Sequence, residues 1–208
     1  MNLPNKITLT RIFLAIIVLI ILVFPFYEIG FNWPSYLIDG RIMVDFKYIL
    51  CGILFTIACI TDWLDGWYAR KYNMVTDFGK TMDAIADKVL VNGTLIILAF
   101  YGFLPVIIPV IIISRDVVTD AIKMVAGSKG NVVPASNMAK LKTIFMMVGL
   151  ILVLFYNLPT YFIGSVLSIG WLKTLALGHY LVFAATVLSV FSGFQYYQVN
   201  KDFLHDKL

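Results

Sequence analysis

Long apolar runs limit the fold of this chain more than any other feature. Six of them, near 7–26, 46–68, 82–101, 104–125, 141–157 and 175–197, follow one another through 208 residues. A helix needs roughly 20 apolar residues to cross a bilayer. Unpaired backbone is not tolerated in lipid, so runs of this length are expected as helices. Composition agrees: 61% of residues are hydrophobic, 13% are charged, and mean hydropathy is +0.90. A soluble domain carries roughly a quarter of its residues charged. The expected architecture is all-α, a polytopic membrane protein with six transmembrane helices in a single domain spanning 1–208.

Turn formers mark the connections between the runs. Residues 28–45 read as a loop around Gly30, Pro34 and Gly40; 126–138 form a second, and 157–174 a third that is apolar enough to lie against the membrane. The first run follows a short basic start, as a signal peptide would. It is long enough to span, however, and Pro25-Phe26-Tyr27-Glu28 offers no small-residue cleavage site, so it reads as an uncleaved helix. With the N-terminus inside, only Arg41, Lys47 and Lys173 of the 16 basic residues fall on the outer side. Both termini, the 69–81 turn and the 126–140 loop are therefore expected at the cytoplasmic face of a cell membrane.

The net charge of +4 is dispersed between apolar runs. That distribution argues against a nucleic-acid partner and suits topology signals and contacts with anionic membrane lipid or substrate. Cys51 and Cys59 share one apolar run and are expected as buried, inert thiols.

Within this apolar background one stretch concentrates acid. Asp62, Asp65, Gly66, Ala69 and Arg70 stand at offsets 0, 3, 4, 7 and 8, and Gly79, Asp83 and Asp87 follow four apart. Each set marks one face of a helix. A turn around 71–78 returns the chain, so the two faces are expected to oppose each other as an antiparallel pair. One aspartate near a helix end is commonly a cap, but four on facing stripes repel one another in a costly setting. Divalent cations with oxygen ligands relieve that cost. Mg2+ takes one or two carboxylates and fills its remaining positions with water and phosphate, and four acids suit a pair of metals clamping a phosphoryl group. Gly66, Ala69 and Gly79 leave room for a bulky ligand, and Arg70 offers a fork to a phosphate.

The pattern Asp-x2-Asp-Gly-x2-Ala-Arg-x8-Gly-x3-Asp-x3-Asp is met at all eight defined positions from Asp62 to Asp87. By it the chain resembles the CDP-alcohol phosphotransferases. The resemblance implies that family's fold, Mg2+ or Mn2+ with two ions per site, and a homodimer. It makes Asp62, Asp65 and Asp83 metal ligands and Asp87 the general base, with a further part in metal binding. Asp62, Gly66, Ala69, Arg70, Gly79 and Asp83 would line the CDP site. Asn5, Thr8 and Arg11 share a face of the first helix and are expected near the nucleotide.

Within the family the chain resembles the bacterial phosphatidylglycerophosphate synthases, through Asn2-Leu-Pro4-Asn5-Lys-Ile-Thr8-Leu-Thr-Arg11, Met82 to Lys88, Ser114-Arg115-Asp116 and Lys140-Leu-Lys142-Thr143. That likeness implies CDP-diacylglycerol as donor and sn-glycerol 3-phosphate as acceptor, in phospholipid biosynthesis. Arg115 and Lys123, eight apart on the fourth run, and Lys140 and Lys142 at the start of the fifth are the expected acceptor phosphate site. Ala84, Lys123 and Ala139 depart from the synthase pattern, where proline, arginine and glycine are usual, and a lysine at 123 lacks the planar fork of arginine. Other acceptors within the family (phosphatidylglycerol for cardiolipin, serine, an inositol phosphate) stay open. So do a membrane prenyltransferase and an ion carrier. His179, expected at the outer surface, and His205 receive no role.

Overall fold

The computed structural model describes residues 3–38, 42–72, 77–128, 137–156 and 176–205. Six α-helices run through the described residues: α1 (Leu3–Val23), α2 (Phe46–Lys71), α3 (Asp77–Phe100), α4 (Ile107–Ser128), α5 (Asn137–Tyr156) and α6 (Leu177–His205). Each coincides with one of the six apolar runs. Their ends reach further than the apolar residues do, because a helix continues into polar sequence until something stops it. Pro25, which cannot donate a backbone hydrogen bond, stands just past the end of α1. At the end of α3, Gly102 takes a left-handed φ of 76°. Its N–H donates to the Ala99 carbonyl and that of Phe103 to the Leu98 carbonyl, which satisfies two carbonyls of the helix's last turn.

The loop expected over 28–45 is more ordered than that. After a 3-10 turn at Phe26–Ile29, Ser35–Ile38 and Ile42–Asp45 pair as an antiparallel hairpin, with Ser35 opposite Asp45 and Ile38 opposite Ile42. Asp39-Gly40 between two stretches of strand formers is a hairpin signal in its own right; residues 39–41 lie outside the described ones, as do 129–136 of the second expected loop and 157–175 of the third. Apart from this ribbon, the fold of the described residues is all-α.

α1 packs along both α2 and α3, α6 packs against α4 and α5, and α2 joins the two groups through α5. The buried face of α1 is Thr8, Arg11, Ala15, Val18 and Leu22, a 3-4-3-4 spacing that keeps one stripe turned inward. Its apolar members meet Cys51, Phe55 and Ala58 of α2 and Leu95 and Leu98 of α3 in the core. Both cysteines are free, as expected; Cys51 is buried and Cys59 only partly so. α5 and α6 approach closely at Gly149 and Gly178: a methyl group on Gly149 would come within 2.8 Å of Val182 Cγ2 and 3.0 Å of its backbone nitrogen. Small residues at such a crossing let helices pack backbone to backbone.

The outside is apolar as well. Phe13, Trp63, Phe183, Phe191 and Phe194 are each more than half exposed, a surface suited to lipid and not to water. Phe46–Tyr68, Met138–Tyr156 and Leu177–Val199 are long and apolar enough to cross a membrane, with Ile7–Val23 a shorter apolar helix. α3 and α4 carry the charged residues of the site inside their lengths.

Candidate active site

Asp62 and Asp65 lie one turn apart near the end of α2, and Asp83 and Asp87 one turn apart near the start of α3. Carboxylate oxygens of Asp62, Asp65 and Asp83 all fall within 4.8 Å of one another. The two acidic faces do oppose each other, but not as a directly packed pair. α2 and α3 make little contact, and the N-terminal part of α1 lies against both. The reason is electrostatic: facing carboxylates need a cation between them, and α1 carries one.

That cation is Arg11. It is only 1% exposed and is ion-paired with Asp62 and with Asp83, while Asp87 Oδ1 lies 3.8 Å from its Nη1. Its Nη2 also donates to the Asp83 carbonyl at 3.3 Å, whereas its buried Nε–H has no acceptor among the described residues. One turn earlier, Thr8 Oγ1 donates to Asp65 Oδ2 at 3.3 Å. Thr8 and Arg11, expected near a nucleotide, thus also organise the carboxylates. A charge inside an otherwise apolar 3-4-3-4 stripe was the signal for this, and such a charge is retained only with partners.

Four carboxylates against one guanidinium leave an excess of negative charge. The donors are all oxygen, come from two helices, and converge within the reach of a small ion. This set fits a hard divalent cation of the Mg2+ type. Gly66 follows Asp65 directly, and Gly79 stands one turn before Asp83; both are partly exposed, as a ligand-facing position must be. Asn5, Ala69 and Arg70 belong to α1 and α2 by their backbone, and their side chains lie outside the described ones.

Asp87 also lines a cavity of about 120 Å³ beside the cluster, together with Lys88 and Asn92 of α3, Asp116 of α4, and Lys142 and Thr143 of α5. Ile112, Met146 and Met147 make its apolar wall. Of the four expected acceptor-site cations, Lys142 lines this cavity. It is 8% exposed and donates to Asp116 Oδ1 at 2.7 Å. Arg115 stands behind it: Nη1 donates to the same Asp116 Oδ1 at 2.9 Å, Nε to the Ser189 carbonyl at 3.1 Å, and Nη2 to Ser192 Oγ at 2.6 Å. Its guanidinium ties α4 to α6 and steadies Asp116. Lys123 is exposed, 3.9 Å from Asp120, which also pairs with Lys88. Lys140 is exposed and not among the cavity-lining residues.

Asn92 was not picked out from the sequence, and Thr143 and Asp116 were quoted only within motifs, with no place in a cavity and no pairing role. They sit on three helices far apart in the chain, and only packing unites them. His179 is buried far from the acids, Nε2 donating to the Phe103 carbonyl at 2.8 Å, a tie between α6 and the end of α3. The side chain of His205 lies outside the described ones.

The sequence model of the CDP-alcohol phosphatidyltransferase family matches residues 1–191. The chain is 38% identical over 199 residues to the CDP-diacylglycerol--glycerol-3-phosphate 3-phosphatidyltransferase of Bacillus subtilis, covering 96% of this chain and 95% of that protein. It is 35% identical over 158 residues to the protein so described from Mycoplasma pneumoniae, covering 73% of this chain and 66% of that one. With the one from Rickettsia bellii it shares 34% identity over 203 residues, 97% of each chain.

Proposed function

The chain belongs to the CDP-alcohol phosphatidyltransferase family, and from that membership we propose that it transfers the phosphatidyl group of CDP-diacylglycerol to sn-glycerol 3-phosphate, giving phosphatidylglycerol phosphate and CMP. The observation that carries the reading is the position of Asp87. It faces Arg11 of the carboxylate cluster at 3.8 Å and lines the cavity that holds Lys142. A base placed there reaches a hydroxyl in the cavity and the donor phosphate at the cluster from one carboxylate.

Asp62, Asp65 and Asp83, with Asp87 as a further ligand, would hold Mg2+ or Mn2+, two ions in this reading. Bound there, the metal neutralises the diphosphate and makes CMP a competent leaving group. The chain does the rest by position. Gly66, Ala69 and Gly79 leave space for the cytidine diphosphate, with Asn5, Thr8 and Arg70 as its other contacts. Lys142 anchors the acceptor phosphate, assisted by Arg115, Lys123 and Lys140 at longer range. Asp87 takes the proton from the acceptor hydroxyl. That oxygen bonds to the lipid-bearing phosphorus, the bond from this phosphorus to the CMP oxygen breaks, and CMP leaves.

The same reading takes the chain as one domain crossing a bacterial membrane six times, site and termini at the cytoplasmic face. Supporting it are six helices of 20 residues or more, the exposed apolar belt, and the skewed distribution of Lys and Arg. The homodimer rests on the family resemblance.

The test is an acceptor panel. Purified protein with CDP-diacylglycerol and Mg2+ is offered sn-glycerol 3-phosphate, phosphatidylglycerol, serine and inositol phosphate, and CMP release is measured. Release with sn-glycerol 3-phosphate is expected. Turnover only with an unphosphorylated alcohol would sink the assignment.

A further inference from the structure

A carboxylate in a cavity meant for a phosphate needs an explanation, because it repels the ligand it helps to enclose. Asp116 is such a group: it lines the cavity with Asp87 and Lys142. Half of its hydrogen-bonding capacity is accounted for by the protein. Oδ1 accepts from Lys142 Nζ at 2.7 Å and from Arg115 Nη1 at 2.9 Å. Those bonds hold the nearly buried Lys142 ammonium in place and offset the charge of Asp116. Oδ2 accepts no hydrogen bond among the described residues. An ionised carboxylate has two oxygens and about four lone-pair sites, so Asp116, which lines the cavity that holds Asp87, keeps an open acceptor in its second oxygen.

We propose that Asp116 selects the acceptor: Oδ1 fixes Lys142 for the acceptor phosphate, and Oδ2 accepts a hydrogen bond from a second hydroxyl adjacent to the one that reacts. The site is then built for a phosphorylated vicinal diol. This rests on the phosphatidyltransferase reading above and adds its acceptor specificity. A site that offers an acceptor to a substrate hydroxyl discriminates against an analogue lacking it, since the protein oxygen then loses that partner. A pocket made of Lys142 and Asp87 alone has no such means.

The experiment compares sn-glycerol 3-phosphate with 3-hydroxypropyl phosphate, which keeps the reacting hydroxyl and the phosphate but lacks the middle hydroxyl. The readout is the ratio of kcat/KM for CMP release, measured on the full chain with CDP-diacylglycerol and Mg2+. This ratio is independent of the fraction of protein that is active. Wild type is expected to favour the diol by roughly tenfold to a hundredfold, the range for a hydrogen bond to a charged group. Asp116→Ala is expected to bring the ratio below about threefold, because the open acceptor has gone. Lys142→Met should lower kcat/KM for both substrates and leave the ratio intact, Asp116 still being held by Arg115.

A wild-type ratio near one overturns the proposal. So does Asp116→Ala that loses activity equally on both substrates, the result expected if Asp116 acts only through Lys142. If Asp116→Ala does not fold, Asp116→Asn carries the test. It keeps an oxygen for Lys142, removes the charge facing the hydroxyl, and is expected to reduce the ratio at least about threefold; an unchanged ratio is the overturning result. Failure of the phosphatidyltransferase reading looks different, with wild type releasing no CMP with either phosphorylated acceptor.

Discussion

Two clusters of charge meet at Asp87, and they are balanced in opposite ways. Around Arg11, four aspartates share one guanidinium, and the cluster carries excess negative charge. Around Asp116, the cations Lys142 and Arg115 outnumber the acid between them, and Lys88 and Lys123 flank Asp120. The first cluster is short of cations and suits metal; the second has cationic charge to offer an anion. In the function proposed above, a phosphorylated acceptor and a metal-bound diphosphate would complete both at once.

The sharpest break in this comparison is removal of the metal. Chelation with EDTA is expected to abolish CMP release, and Mg2+ or Mn2+ to restore it. Asp83→Asn should lower turnover by about 10³-fold or more while weakening Mn2+ binding measured directly by titration, since the remaining oxygens no longer surround the ion. Full activity in EDTA would remove the reason for the acid excess.

Arg11 comes next. Breaking a buried ion pair leaves uncompensated charge, at roughly 3–5 kcal/mol for fully buried partners; Asp62 and Asp83 are part-exposed, which puts the expected loss at the low end or below. Arg11→Met should therefore unfold at lower temperature without metal. The carboxylates it leaves unneutralised should bind divalent ions more tightly, so added Mg2+ should raise the unfolding temperature of the variant by more than that of wild type. An equal rise in the two proteins would show that Arg11 does not balance the carboxylates.

How much of this the sequence revealed follows from the distances along the chain. The six helices are legible because each is one continuous apolar run, and the four aspartates because helical offsets place them within 26 residues of each other (Asp62 to Asp87). Arg11 is less so. Near a basic N-terminus it resembles an inside-positive anchor, and only its place in the Thr8, Arg11, Ala15, Val18, Leu22 stripe marks it as buried. The Asp116 cluster is legible only in part: Arg115 and Lys142 are expected at one site, but their partners and separate roles are not, for a plainer reason. Its members come from α3, α4, α5 and α6, and nothing in local periodicity says that Arg115 bonds to α6 while Lys142 reaches the cavity. The hairpin after α1 was legible through Asp39-Gly40, but surrounding turn formers made the stretch read as loop.

The acceptor half yields a smaller effect and a built-in control. Lys142→Met is expected to raise KM for the acceptor about tenfold to a hundredfold with little change in KM for CDP-diacylglycerol, as loss of a charge-assisted bond to phosphate requires. Lys123→Met, at an exposed position, should change the acceptor KM less than about threefold. If the two variants are equally impaired, the anion site is a diffuse field and not a point held by Asp116.

Smallest in its effect on activity is a change away from both clusters. Gly149 and Gly178 allow α5 and α6 to touch, and a methyl group on Gly149 would meet the backbone of Val182 at 3.0 Å as well as its side chain. A side chain can rotate away; a backbone nitrogen in a helix can move only with the helix. Gly149→Ala should therefore push α5 from α6 and destabilise the protein by about 1–3 kcal/mol, the usual range for overpacking. Because Lys142 lies nearly two turns earlier on α5, with its charge held by Asp116, which Arg115 steadies, the acceptor KM should change less than about twofold. A stable protein with a markedly raised acceptor KM would reverse the expectation, and would mean that the α5–α6 crossing sets the position of Lys142 more firmly than its ion pair does.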